Sequence, residues 1–287
     1  MDLSPLQATE TVNYKFILMR TILTLLIFFQ TLTLFAAKVD TLIVYSNSMK
    51  KEIKNTVILP NSYLAEGKKF PVLYLLHGAG ADYRTWVTYY PEIKDYADMY
   101  NFIIVCPDGG KTSWYFDSPI DRSYQYETYI SKELVEKLDK SYNTSAKRED
   151  RAVMGLSMGG HGAFYLAVKH PDIWSAALSS SGGLDIRPFP NKWDVAKRLG
   201  SMKDYPERWG KNTVINMIHL IKADSTKLFF DCGTDDFFYP ANKKFHEKLL
   251  YMNIQHTYIE MPGGHSRAYW KNSIKYHFTF LNSHFNQ

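Results

Sequence analysis

Cysteines, metal-ligand patterns and runs of basic charge are scarce in this sequence, and each scarcity excludes a class of protein. The 287 residues include two cysteines, too few for the disulfide framework of a small stapled domain. No CxxC or HExxH pattern and no Cys/His cluster offers a metal site. The net charge is +5, but the Lys and Arg residues are scattered, so no nucleic-acid-binding surface is predicted.

Repeats and low-complexity tracts are absent as well, and the composition is that of a packed globule. Hydrophobic residues make up 45% and charged residues 22% of the chain, which excludes disordered, fibrous and polytopic membrane proteins. Aromatic residues are plentiful at 15%, and they fit a stacking surface for a ligand and a well-filled core equally well. Length alone allows one large domain or two small ones.

A long uncharged run occurs only at residues 21–37, directly after Arg20. A basic start, an apolar middle and two closing alanines predict a cleaved secretory signal over residues 1–37. A membrane anchor is the alternative, but this run is shorter than the roughly 20 residues of a spanning helix. Met19 directly precedes the basic residue and is an alternative translation start. We expect a secreted or periplasmic protein that meets a membrane only during export.

Beyond the signal, short β-rich runs alternate with helical periods. Several of these runs are continuously hydrophobic, as strands buried on both faces must be. We predict eight strands, at residues 41–45, 55–59, 70–76, 102–106, 152–154, 175–179, 227–231 and 255–260. The first two are predicted to pair antiparallel, because a short polar segment joins them. The later strands alternate with helices, which predicts a mostly parallel sheet with helices on both faces.

Residues 183–226 form the one long interval without a clear strand, with a helical pattern at residues 213–221. We interpret this interval as a short cap-like insertion over the working edge of the sheet, and residues 38–287 as a single α/β domain. Its aromatic residues Trp193 and Trp209 are candidates for stacking on a substrate ring. Packing within the insertion's own small core is the alternative.

The most informative motif is Gly155-Leu156-Ser157-Met158-Gly159, between an apolar strand and a helical run. In a strand–turn–helix this G-x-S-x-G pattern holds the serine in a strained, exposed conformation. Side chains at the flanking glycines would collide with neighbouring backbone. Ser157 is therefore a candidate nucleophile, and the Met158 amide, at the positive end of the helix, is a candidate donor to an oxyanion. A glycine-rich turn with an incidental serine is the alternative.

A nucleophilic serine needs a base, and the base needs an orienting carboxylate. Among nine histidines, His265 is the best candidate because it lies in a Pro-Gly-Gly loop between the last strand and the closing helix. His161 lies inside the nucleophile helix and is assigned to packing. The candidate acids Asp235 and Asp236 are adjacent in a loop after a strand, so only one can face the histidine. Spacing alone leaves this choice open.

A second glycine loop, His77-Gly78-Ala79-Gly80, follows the third predicted strand. In a hydrolase such a loop supplies the second oxyanion amide, here that of Ala79. A dinucleotide-binding fingerprint is excluded, because its third glycine would fall at Tyr83 and no helix begins there. We assign His77 to anchoring the loop by hydrogen bonds.

With these pieces in this order, the chain resembles the esterase D-like putative-esterase family of α/β-hydrolases. That family includes feruloyl and acetylxylan esterases, tributyrin-type esterases, S-formylglutathione hydrolases and mycolyltransferases. The matching segments span about residues 38–287; they are FPVLYLLHGAGADYRTW, IIVCPDGG, YETYISKELVEKLDKSYNT, AVMGLSMGGHGAF, FFDCGTDDFFYPANKKFHEKL and MPGGHSRAYW. The resemblance implies an α/β-hydrolase fold with an eight-stranded sheet. It also selects Asp236 as the triad acid, because the family's CGTxD-type motif ends on it.

The resemblance places Trp86 in the acyl pocket, since a tryptophan often follows the HG loop in this family. Arg267 departs from the family pattern, because tryptophan is common two positions after the histidine; the acyl preference stays open. The implied reaction is two-step acyl transfer through Ser157, with no metal or cofactor. His265 must begin unprotonated, so a neutral-to-alkaline optimum is expected.

Export favours extracellular esters as substrates. We expect acetyl or feruloyl esters, either small molecules or groups linked to polysaccharide, to be hydrolysed by a serine carboxylesterase. Acyl transfer to a sugar alcohol and an S-formylglutathione hydrolase-like thioesterase activity are the alternatives. Cys106 and Cys232 end strands that would not be neighbours in this fold, so we expect buried thiols.

Overall fold

The computed structural model describes residues 19–20, 37–222 and 226–286. Ala37–Gln287 forms one compact unit. The predicted secretory signal at residues 1–37 lies almost wholly outside the described residues, so it stays a prediction. Within the described ranges, no helix is long and apolar enough to cross a membrane.

All eight predicted strands are present, and they form one sheet in the order β1-β2-β4-β3-β5-β6-β7-β8. The antiparallel entry is confirmed: β1 pairs antiparallel with β2 and β2 with β4, whereas the other neighbouring pairs are parallel. The strands are β1 Lys38–Ser46, β2 Lys51–Leu59, β3 Val72–Leu76, β4 Ile103–Pro107, β5 Arg151–Leu156, β6 Ala176–Ser180, β7 Lys227–Gly233 and β8 Thr257–Met261.

Helices alternate with the parallel strands, as the sequence predicted. One long helix, α3, combines Tyr126–Thr128, a π-helical stretch Tyr129–Leu134 and Val135–Ser141. The other α-helices are α1 Thr85–Tyr89, α2 Ile93–Tyr100, α4 Met158–Lys169, α5 Val195–Leu199, α6 Pro206–Lys211, α7 Tyr239–Tyr251 and α8 Arg267–Phe285. Short 3₁₀ turns lie at Asn61–Leu64, Arg148–Asp150, Val214–Asn216 and Ile218–Leu220.

The sheet separates two buried hydrophobic clusters, one on each face. Along β3, Tyr74 and Leu76 belong to one cluster and Leu73 and Leu75 to the other, as the alternation of side chains along a strand requires. Residues of α3, α4 and α7 complete the first cluster, and residues of α2 and α8 complete the second. Burial on both faces explains why the central strands are continuously hydrophobic. This architecture is the α/β-hydrolase fold.

The insertion at residues 183–226 contains α5, α6 and two of the 3₁₀ turns, and the described part of it contains no strand. The helical pattern predicted at residues 213–221 corresponds to those 3₁₀ turns. Three residues of the insertion are fully buried in the first cluster, the one that contains Tyr74 and Leu76; they are Val195, Leu199 and Val214. The insertion is therefore packed into the main core, and only part of it reaches the edge of the sheet where the strands end.

Candidate active site

Ser157 lies in a sharp turn between the end of β5 and the start of α4. Its φ of 56° and ψ of −117° lie in a region that non-glycine residues seldom adopt. A Cβ on Gly155 would lie 2.3 Å from the carbonyl carbon of Gly159, and a Cβ on Gly159 would lie 2.4 Å from the Leu76 oxygen. Both flanking glycines are therefore required, because backbone packs directly against backbone around the serine.

The side chains of Ser157, His265 and Asp236 lie in one hydrogen-bonded line. The Ser157 hydroxyl donates to Nε2 of His265 at 2.9 Å, and Nδ1–H of His265 donates to Oδ2 of Asp236 at 2.8 Å. The Asp236 side chain is fully buried, and its Oδ1 accepts the Phe238 N–H at 2.8 Å. The neighbouring Asp235 is exposed. Geometry thus brings Asp236, and not Asp235, to the histidine.

Two backbone hydrogen bonds hold the histidine loop against the aspartate loop. Thr234 N–H donates to the Met261 carbonyl at 3.0 Å, and Asp235 N–H donates to the Gly263 carbonyl at 2.9 Å. The approach is so close that a Cβ on Gly233 would lie 2.1 Å from the Gly263 oxygen. The position of His265 is therefore set by the ends of β7 and β8, which are neighbours in the sheet.

The loop after β3 is anchored by His77, as predicted. Its Nδ1–H donates to the Gly78 carbonyl at 2.8 Å, and its Nε2 accepts the Gly109 N–H at 2.8 Å. Burial lowers the pKa of His77, so the ring is neutral and can accept at Nε2. No protein acceptor among the described residues takes the N–H of Ala79 or of Met158. Both amides are thus available to a ligand oxygen.

A cleft of about 960 Å³ opens above Ser157. Ala79 and His265 also line it, together with an aromatic wall and a few charged side chains. The aromatic residues are Tyr89, Tyr90, Trp193, Phe237 and Trp270, and the charged ones are Asp82, Arg84 and Arg267. A cleft with apolar walls and few polar groups is typical of a small-molecule site.

The three predicted pocket tryptophans have different surroundings. Trp193 lines the cleft. Trp86 is buried behind the wall, with its ring 5.0 Å from that of Tyr90, and the structure does not place it on the cleft surface. Trp209 is fully buried in the main hydrophobic core and donates Nε1–H to the Gly200 carbonyl at 2.9 Å. It does not line the cleft, because its indole is buried and hydrogen-bonded within the insertion.

Sequence reasoning missed the aromatic rings that pack against His265. The Phe237 and Trp270 rings lie 4.3 Å and 4.8 Å from the His265 ring, and both residues line the cleft. Their sequence signal was position alone, since Phe237 directly follows Asp236 and Trp270 lies in the closing helix, five residues after His265. His161, assigned to packing, is buried and hydrogen-bonded to the Gly183 carbonyl; burial lowers its pKa to about 4.

Comparison with known proteins gives a consistent family. Residues 46–281 match the family model described as "Putative esterase". An esterase of Mycobacterium tuberculosis is 30% identical over 237 residues, which are 73% of this chain and 51% of that protein. The chain thus spans about half the length of the first curated relatives. An acetyl esterase of Caldicellulosiruptor saccharolyticus is 26% identical over 264 residues, which are 83% of this chain and 95% of that protein.

Solved structures agree on both fold and family. A ferulic acid esterase is 29% identical to this chain, with a TM-score of 0.75, and the match covers 88% of this chain and 99% of that one. The family model covers most of the chain and includes Ser157, Asp236 and His265. The chain therefore belongs to the esterase family, a family of carboxylic ester hydrolases with the α/β-hydrolase fold.

Proposed function

We propose that this chain is a serine carboxylesterase in which Ser157, His265 and Asp236 form the catalytic triad. The observation that carries the proposal is the line of hydrogen bonds from the Asp236 carboxylate through His265 to the Ser157 hydroxyl, at 2.8 Å and 2.9 Å. The serine also has the strained backbone and the position at a helix N-terminus that a G-x-S-x-G nucleophile requires.

The mechanism follows from this geometry. Ser157 Oγ attacks the ester carbonyl carbon while its proton moves to Nε2 of His265, and the buried Asp236 stabilises the imidazolium. The amides of Ala79 and Met158 hold the developing oxyanion. When the tetrahedral intermediate collapses, His265 gives its proton to the leaving alcohol. The same ring then takes a proton from the water that attacks the acyl-enzyme. It returns this proton to Ser157 Oγ when the second tetrahedral intermediate collapses, which releases the acid and the free serine.

Acetyl and feruloyl esters are the substrates that we propose. A relative that matches 83% of this chain is an acetyl esterase, and a structural neighbour at 29% identity is a ferulic acid esterase. The aromatic wall of the cleft, which includes Trp193 and Phe237, can stack on a feruloyl ring or on a sugar. Esters linked to polysaccharide fit a cleft of about 960 Å³ that is open to solvent.

Export through a cleaved signal belongs to the same proposal. The uncharged run at residues 21–37 supports it, as does a compact unit that begins at Ala37. N-terminal sequencing of the protein from a culture medium or periplasm checks this. A mature start near residue 38 is expected, and a mature protein that retains the uncharged run contradicts export by cleavage.

Ester hydrolysis by the protein and by its Ser157→Ala variant is the first test. The panel is p-nitrophenyl acetate, methyl ferulate and acetylated xylan, with and without a sugar acceptor. We expect the variant to lose about 10⁴-fold or more in kcat, because removal of a triad nucleophile leaves only the oxyanion hole and binding. Parent rates no higher than the variant's on every ester would contradict the proposal. Acylated sugar as the main product would indicate a transferase.

A matched pair of variants tests the assignment of the acid. Asp236→Asn should lower kcat by about 10³- to 10⁴-fold, because the amide no longer holds the imidazole in its working tautomer. Asp235→Asn removes the same charge one residue away and should retain kcat within about twofold, since exposed substitutions have small effects. Equal losses in the two variants would contradict the assignment.

A further inference from the structure

Arg267 is one of two cationic side chains that line the cleft, with Arg84, and the proposed mechanism uses neither of them. It lies two residues after His265, at the first position of α8, and it lines the cleft. Two residues of chain span at most about 7 Å, so the Cα atoms of His265 and Arg267 lie within that distance. Arg267 therefore shares the cleft with His265 and begins from a neighbouring backbone position.

The Arg267 side chain is held in a defined orientation. Its guanidinium carbon lies 3.5 Å from the centroid of the Tyr89 ring, and that ring also lines the cleft. A guanidinium that stacks on an aromatic face keeps its in-plane N–H groups free for a planar acceptor such as a carboxylate. The stack thus orients a fork of donors without using them.

Folding gives no reason for a cation at this position. The residue is exposed, and an exposed cation–π contact contributes only about 0.5–1 kcal/mol. A positive charge in the first turn also opposes the dipole of α8. Within the part of the chain that the structure describes, no carboxylate lies at ion-pair distance from Arg267.

The other charges of the cleft leave that of Arg267 uncompensated. Arg84 donates from Nη2 to Oδ2 of Asp82 at 2.7 Å, so these two residues of the cleft neutralise each other. The charge of Arg267 also acts on the cleft wall: burial raises the pKa of Tyr90 to about 12, and the guanidinium opposes that rise. The charge of Arg267 is therefore the one charge among the described cleft residues Asp82, Arg84 and Arg267 that is left without an ion-pair partner.

We propose that Arg267 is a specificity-determining residue that binds a carboxylate on the alcohol half of the ester. Preferred substrates are then esters in which the acyl group is carried by the hydroxyl group of a hydroxy acid or a uronic acid, whose carboxylate is free. The alcohol half is chosen because His265 protonates the leaving oxygen, so residues close to His265 in the chain flank the leaving group. The inference rests on the proposed esterase function and names its substrate class.

The test uses ester pairs that differ only in the charge of the leaving group. For acetyl transfer the pair is 4-acetoxybenzoate and its methyl ester; for hydroxycinnamoyl transfer it is caffeoyl quinate and its methyl ester. Chromatography of the products gives kcat/KM for each ester. The quantity compared between proteins is the ratio of the anionic to the neutral value, so that intrinsic differences in reactivity cancel.

Arg267→Gln should reduce this ratio about tenfold, mainly through a higher KM for the anionic ester, because one charged, bidentate hydrogen-bonded contact is lost. Arg267→Lys should retain part of the preference, since a point charge replaces the planar fork. Lys271→Gln is the matched control: it removes an exposed charge from the same helix, outside the cleft lining, and should change the ratio less than about twofold. Salt at 0.5 M should weaken the parent's preference.

The outcomes separate this inference from the proposed function. Suppose that the parent enzyme hydrolyses both esters and that a folded Arg267→Gln variant has the same ratio of anionic to neutral kcat/KM. This result overturns the role of Arg267 and leaves the proposed esterase function intact. Equal falls in the Arg267→Gln and Lys271→Gln variants also overturn it, because they would reflect net charge and not a contact. A parent no faster than Ser157→Ala on every ester overturns the proposed function instead. Thermal unfolding midpoints check that each variant is folded.

Discussion

Ser157 keeps its unusual backbone conformation because its backbone N–H and its backbone C=O are both hydrogen-bonded. Its N–H donates to the Ser180 carbonyl at 2.9 Å, and its own carbonyl accepts the His161 N–H at 3.0 Å. A non-glycine residue in such a conformation costs on the order of 1–3 kcal/mol. The flanking glycines allow neighbouring backbone segments to pack closely around the turn, and this packing offsets the cost. Strain at the nucleophile is thus a property of the whole turn.

Gly159→Ala should disrupt this turn. The added Cβ would lie 2.4 Å from the Leu76 oxygen, and both atoms belong to packed backbone that cannot move independently. We expect a loss of about 1–3 kcal/mol in the free energy of unfolding and a large loss of kcat, because β3 leads into the Ala79 loop. Urea unfolding and ester hydrolysis measure the two effects.

Gly210→Ala is the matched control for that substitution. The closest atom to a Cβ at this position of α6 is Asn216 Nδ2, at 3.9 Å, so the methyl group meets open space. Alanine favours a helix over glycine by up to about 1 kcal/mol, so this variant should unfold at equal or higher urea concentration. Equal unfolding of the two variants would show that the collision at residue 159 is relieved by backbone movement.

Individual site residues were predictable from the sequence to different degrees. Ser157 and His265 stand in motifs whose local structure determines where the side chain points. The choice between Asp235 and Asp236 was open from spacing, because it depends on the hydrogen bond from the Asp235 N–H to the Gly263 carbonyl, a contact between two distant loops. Trp209 was a candidate for the pocket because sequence alone does not distinguish a buried indole from one that faces a cleft.

Among the elements, α3 and the nucleophile helix α4 are joined by a buried carboxylate. Glu127, in the first turn of α3, accepts from Lys169 Nζ at 2.6 Å and from the Tyr165 hydroxyl at 2.8 Å. His170 Nε2 lies 3.0 Å from the other carboxylate oxygen. Burial alone would raise the pKa of Glu127, but the hydrogen bonds from His170 and Lys169 outweigh it and lower the pKa to about 2.

This shift predicts a pH-dependent part of the stability. The folded pKa of Glu127 is below its ordinary value of 4.5, so the contribution is fully present above about pH 4.5 and is lost as the pH falls towards 2. Glu127→Gln should therefore lower the free energy of unfolding by on the order of 2–3 kcal/mol at pH 7. The deficit should fall below half of that value by about pH 3.

Glu136→Gln is the control for the Glu127 variant, because it removes an exposed carboxylate from the same helix. Its unfolding free energy should stay within about 0.5 kcal/mol of the parent at every pH. Urea unfolding at a series of pH values between 7 and 3 measures both variants. A deficit for Glu127→Gln that is independent of pH would indicate lost packing and not lost charge.

The type of each element was more predictable than its bounds. Short β-rich runs, several of them continuously hydrophobic, identified all eight strands. However, β8 begins at Thr257 and not at residue 255, and β3 begins at Val72 and not at Phe70. Phe70 makes only an isolated bridge with Thr144. A strand end depends on whether a partner strand continues beside it, and that information lies elsewhere in the chain.

Across the whole molecule, the sheet order brings the functional loops together. The loops that carry Ala79, Ser157, Asp236 and His265 follow β3, β5, β7 and β8, and these strands are parallel, so the loops share the carboxyl edge of the sheet. The alternation of strands and helices predicts a parallel sheet but not its order. The alternation alone does not determine the order, because right-handed crossovers permit several arrangements.

The two cysteines provide a test of how the whole molecule unfolds. Cys106 and Cys232 are free and buried, as predicted, and β4 and β7, which carry them, are separated in the sheet by β3, β5 and β6. Burial raises the pKa of both thiols, so neither forms a reactive thiolate in the folded protein. Exposure of either thiol therefore requires the opening of a central part of the sheet.

We expect no reaction of the native protein with Ellman's reagent, and two equivalents of released chromophore in concentrated urea. Because both thiols lie in the core of one compact unit, labelling should follow the same urea transition as tryptophan fluorescence. A Cys106→Ala variant should release one equivalent over an unchanged transition shape. Labelling of one thiol well before the fluorescence change would contradict a single cooperative unit, and the variant would identify whether β4 or β7 opens first.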